Sequence, residues 1–120
     1  MENKMHPLRK AGPLLMFLAV AIGAFGAHVL ENKLGPKAIK TFQTGVTYHL
    51  IHALALLALT FRPTDLKLGK APYFLLAGVV LFSGNCYLYA LTQIKTFAMI
   101  VPVGGFSFLI GWALLLRDLK

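Results

Sequence analysis

Residues 43–61, QTGVTYHLIHALALLALTF, contain no Lys, Arg, Asp or Glu. A helix rising ~1.5 Å per residue nearly crosses a hydrocarbon core ~30 Å thick over such a length. The apolar residues run on without alternating with polar ones, so the stretch reads as a helix in lipid and not as a strand of a closed barrel. Residues 13–30, 71–94 and 96–116 are also free of these four charged types. The sequence therefore predicts an all-α fold, an integral membrane bundle of four transmembrane helices at approximately 13–30, 43–61, 71–93 and 97–116. All 120 residues form one domain.

Composition supports the same solvent. The chain is 58% hydrophobic and 13% charged, against roughly 45–50% and ~25% in soluble domains. A soluble domain of this length has too small an interior to hide that excess. Lys4, Arg9 and Lys10 ahead of the first apolar run also suit a secretory signal peptide, but three more spans follow, so the run is read as helix one.

Basic residues in the connecting segments set the expected orientation. Lys4, Arg9, Lys10, Arg62, Lys67, Lys70, Arg117 and Lys120 fall on one side, and Lys33, Lys37, Lys40 and Lys95 on the other. Both termini are thus expected in the cytoplasm, as part of a multi-pass membrane protein. The net charge of +8 is divided between both faces with no interleaved aromatic platform. Anionic membrane lipids are the expected partners, and nucleic acid is not.

Gly35-Pro36 breaks the chain after helix one, and Arg62-Pro63-Thr64-Asp65 turns it after helix two. Pro36 also suits the first turn of a helix, so helix two is allowed an interfacial amphipathic start before Gly45. The sole cysteine, Cys86, has no partner for an intramolecular disulfide and reads as a small apolar filler.

Lipid provides no hydrophobic drive between helices, which associate where small residues let backbones approach. Ala19, Gly23 and Ala27, with Gly26 alongside, form such a seam on helix one. Gly104, Ser107 and Gly111 form another on helix four. The spacing serves packing within one bundle or between copies, so a homo-oligomer or a complex with another membrane protein remains open. Pro102 lies inside helix four, where a kink near Phe97 to Ala98 is expected.

Polar residues inside a span normally face other helices or a cavity. His28, Tyr48, His49, His52, Asn85 and Tyr89 are placed by this reading in one polar pocket on the external side of the bundle. On a regular helical wheel Thr41, Thr44, Gly45, Tyr48, His49, His52, Ala55 and Leu59 share one face of helix two. Val46, Leu50, Ala53, Leu54, Leu57 and Phe61 form a lipid-compatible face opposite. Gly78, Phe82, Asn85, Tyr89 and Thr92 share a side of helix three, with Ser83 and Tyr87 pointing elsewhere. Asn85 is then the partner for helix two.

His49 and His52 are spaced to share a metal or a haem, with His28 as a third ligand, but no Asp or Glu is available in any span. The simpler reading has no cofactor: the histidines are neutral and hydrogen-bond between helices. Under that reading His49→Gln is tolerated. Ser83 with His49 or His52 would make a nucleophile and base, a pairing that the outward placement of Ser83 weakens. A small proton-coupled exporter would have only histidine as its embedded ionisable group.

The ordered set Gly23-Ala24-Phe25-Gly26-Ala27-His28, Phe42, Thr44, Gly45, Tyr48-His49, His52-Ala53-Leu54-Ala55-Leu56, Phe82-Ser83-Gly84, Tyr87, Tyr89, Pro102, Gly104-Gly105 and Gly111-Trp112 resembles the YgdD/YwdK-type family. These are small bacterial membrane proteins with eukaryotic relatives. The resemblance covers nearly the whole chain and implies four helices in the bacterial cytoplasmic membrane. It implies no established reaction. The expected function is accordingly that of a non-enzymatic membrane component binding lipid or a partner protein. The alternative is a protein that binds a ligand, metal or haem, or a small transporter, using the histidine cluster.

Overall fold

The computed structural model describes residues 6–61 and 69–119. The turn expected at Arg62-Pro63-Thr64-Asp65 lies outside these, as do Lys4, Lys67 and Lys120. Four helices, all long and apolar enough to cross a membrane, run antiparallel in chain order: α1 Ala11–Leu30, α2 Pro36–Thr60, α3 Ala71–Thr92 and α4 Lys95–Asp118. One end of the bundle holds the start of α1 and the end of α4; the other holds the α1–α2 and α3–α4 turns. α1 lies against α2, α2 against α3, and α3 against α4, while α1 and α4 share no extended contact among the described residues.

α2 begins at Pro36, two turns before the charge-free run. Gly35 is extended and Pro36 occupies the first turn, where its missing N–H has no intrahelical partner to lose. Lys37 and Lys40 thus lie inside the helix. At the other end of α3, Gln93 adopts φ 58° and its side-chain amide donates to the carbonyls of Tyr89 and Ala90, both at 3.2 Å. This cap lets α4 start at Lys95. α4 then continues through Pro102 to Asp118 as one helix.

Both proposed glycine seams pack within the single chain. Ala19 is fully buried and Gly26 is covered by the ring of Phe42, while a Cβ on Gly23 would stand 3.3 Å from Val46. Ala27 is exposed and does not join the seam. On α4, a Cβ at Gly104 would lie 2.6 Å from the Phe82 Cα, and one at Gly111 2.8 Å from Leu75. Between them Ser107 donates to the Phe74 carbonyl at 2.7 Å. Further close approaches occur at Gly12 and Gly45, where a Cβ would stand 2.7 Å from the Leu57 nitrogen and 2.9 Å from the Tyr87 ring. Such approaches replace the missing hydrophobic drive with van der Waals contact.

The faces of α2 differ from the regular-wheel reading along the side that meets α1. Of the residues assigned to the lipid-compatible face, Val46 packs by Gly23, Leu57 by Gly12, and Ala53 is fully buried with Leu15, Leu56, Leu75, Val79 and Phe108. α1 covers this side, so α2 is enclosed from two directions. Leu54 and Phe61 are exposed as expected.

Two helical segments depart from α geometry, Gly26–Leu30 in α1 and Val79–Ser83 in α3, where the bonding widens to a π turn. A π turn accommodates an additional residue and so rotates everything beyond it. On α3 the side that meets α2 is a correction. Ser83 and Tyr87 face α2, whereas Asn85 donates to the Leu81 carbonyl of its own helix at 2.7 Å.

Candidate functional site

The polar side chains of the core are resolved into separate ties instead of one pocket. Ser83 is fully buried, and its hydroxyl donates to the Gly45 carbonyl of α2 at 2.7 Å. Neither histidine accepts from it, so the nucleophile and base pairing does not form. His49, 3% exposed, shares a 2.8 Å hydrogen bond through Nδ1 with the Tyr87 hydroxyl. Its Nε2 is buried with no hydrogen-bond partner among the described residues.

His52 is committed at both nitrogens. Nδ1 lies 2.8 Å from the Tyr48 carbonyl, which can only accept, so Nδ1 carries the proton. Nε2 then accepts from the indole N–H of Trp112 at 3.0 Å. The ring stacks on Phe108 with centroids 3.7 Å apart. His49 therefore ties α2 to α3, and His52 ties α2 to α4.

The remaining expected members are dispersed. His28 is exposed in the π segment of α1, two residues from the end of that helix. His52 lies sixteen residues into α2 from the same end of the bundle, a difference in depth of roughly 20 Å. Tyr89 is half-buried and contributes its backbone carbonyl to Gln93. His49 and His52 thus lie just past the middle of α2 toward the chain ends, deeper than expected because α2 starts seven residues earlier than its charge-free run. Asn85, Tyr87 and Tyr89 lie in the half of α3 nearest the α3–α4 turn. Among the described residues no three His, Cys, Asp or Glu side chains are placed to hold a metal.

Beside these ties an open cleft of about 440 Å³ runs between α2 and α4, with Phe82 of α3 at its back. Tyr48, His52, Phe106, Phe108 and Trp112 line it, and Pro102 and Gly105 form part of the α4 wall. Trp112 and Phe108 are site residues that helical spacing in the sequence does not mark. Trp112 lies about one and a half turns from Arg117, where an aromatic residue ordinarily reads as part of an interfacial belt. A second groove of about 460 Å³ separates α1 from α2 near their turn, lined by Gly26, Glu31, Phe42, Gln43 and Thr47 among others.

Four apolar spans tied by buried polar contacts define a small multi-pass membrane protein. The family model described as Protein of unknown function (DUF423) matches residues 22–105, and the chain belongs to that family. It is 41% identical over 108 residues to the UPF0382 membrane protein YwdK of Bacillus subtilis, covering 87% of this chain and 88% of that protein. It is 45% identical over 103 residues to the UPF0382 inner membrane protein YgdD of Escherichia coli K12, covering 83% and 79%. The ordered motif set pointed to this family, and the membrane names of these relatives agree with the four spans. No solved structure matches the chain.

Proposed function

We propose that this protein is a non-enzymatic membrane component, both termini cytoplasmic, that binds a lipid in the cleft between α2 and α4. The supporting observation is the cleft itself: it is apolar, open at the bundle surface, and walled by side chains from three helices. Its volume falls in the range of ordinary small-ligand sites. Two of the polar groups that chemistry would call on are engaged elsewhere. Ser83 is bound to a carbonyl and His52 is bound at both nitrogens. A metal or haem shared by His49 and His52 would first have to break the Trp112 or Tyr48 contact.

Site-directed photocrosslinking tests the reading. Phe106 lines the cleft and is 66% exposed. A benzophenone side chain introduced there is expected to yield a lipid-mass adduct on illumination in native membranes. Exclusive crosslinking to another polypeptide would overturn the lipid reading.

A further inference from the structure

We infer that the cleft recognises a flat, oxygen-bearing ring on an apolar tail, the chemistry of an isoprenoid quinone. This rests on the lipid-binding reading and goes beyond it by naming the ligand class. Tyr48 stands at the centre of α2, twelve residues or ~18 Å from either end. Its ring leans on Phe82, with centroids 4.6 Å apart, and does not extend along the helix toward the head groups. The residue is 41% exposed into the cleft, and its hydroxyl has no hydrogen-bond partner among the described residues. Tyrosine belongs by preference at the membrane interface. Inside hydrocarbon an unsatisfied hydroxyl is costly.

Phospholipid tails present only methylene and methyl groups at that depth, so an acyl chain would fill the cleft and leave the hydroxyl unpaired. The ligand must bring an acceptor with it. Tyr48 is the donor available for it, because the Trp112 indole N–H is already given to His52 and the His52 N–H to the Tyr48 carbonyl.

The lining is aromatic where it is open. Tyr48, Phe106 and Trp112 are the exposed rings of the cleft, and His52 and Phe108, stacked on each other at 3.7 Å, are buried behind them. An aromatic wall of this kind receives a planar ring in an offset stack. Gly105 adds no side chain to the α4 wall. The ring oxygen of a quinone then accepts from Tyr48 while its tail leaves through the open side into lipid.

Trp112 is the sole tryptophan of the chain and lines the cleft, so a bound quinone quenches its fluorescence directly. Decylubiquinone titrated into the full chain in phosphatidylcholine nanodiscs is expected to give saturable quenching. Tyr48→Phe keeps the ring and removes the donor, and should raise the half-saturation concentration about tenfold. Gly105→Leu should abolish the saturable phase. A linear response that is the same for all three proteins, or one that Tyr48→Phe leaves unchanged, overturns the quinone assignment. If a lipid adduct still forms at position 106 in that case, lipid binding stands and only the ligand class falls. Loss of both signals removes both.

Discussion

Gly104→Ala is expected to lower the stability of the bundle by about 3 kcal/mol, the upper end for an overpacked site. The added methyl group would lie 2.6 Å from the Phe82 Cα and 2.7 Å from the Leu81 carbonyl carbon. These are backbone atoms of α3, so no side-chain rotation relieves the overlap and the two helices must separate. The adjacent Gly105 is an internal control, because a Cβ there meets only the Phe82 ring, at 3.8 Å. Gly105→Ala should be neutral or stabilising by up to about 1 kcal/mol through helix propensity. Denaturant titration in detergent, followed by Trp112 emission, measures both. Equal effects at 104 and 105 would mean that α3 and α4 do not pack along this seam.

His52→Ala should cost about 3 kcal/mol. The substitution deletes a buried ring stacked on Phe108 at 3.7 Å and leaves the Trp112 N–H without its acceptor. Trp112 emission should shift with it, since the indole loses a hydrogen bond. His28→Ala, at an exposed position, should stay within about 0.5 kcal/mol of the parent. The same assays compare the two. A bundle indifferent to both substitutions would contradict the role of His52 as a tie between α2 and α4.

The fold was legible because lipid imposes its constraint on composition. Each span shows itself as a run without charge, and the antiparallel order follows from short turns. The charge-free run begins α2 only at residue 43, because Lys37 and Lys40 sit inside the helix where an absence-of-charge criterion cannot follow it; Pro36 in the first turn is what marks the earlier start. The pairing of spans was only partly legible. Glycine spacing identified the seams on α1 and α4 but not their partners, which depend on Phe42 and on the backbone at Phe82.

The site was read less well, for one geometric reason. A wheel of constant pitch rightly separates Ser83 and Tyr87 from Gly78 and Phe82, but it does not say which side meets α2. Polarity favours the side of Asn85, whereas Ser83 and Tyr87 make the contacts with Gly45 and His49, and Gly78 and Phe82 meet α4. At the end of α1 the bonding widens to a π turn over Gly26–Leu30, where His28 and Ala27 are exposed. No residue type marks such a turn reliably, so periodicity alone could not find it. The pairing of His52 with Trp112 joins residues sixty positions apart on helices not adjacent in sequence, and only the assembled bundle brings them together.

Native mass spectrometry of the tag-free protein ejected from its own membranes shows bound lipid and bound metal at once. The ties described for the core and the cleft between α2 and α4 predict a chain carrying an adduct of lipid mass and no metal, with the adduct lost in Gly105→Leu. A near-stoichiometric metal ion that disappears when His49 and His52 are replaced, on a chain without lipid, would contradict them.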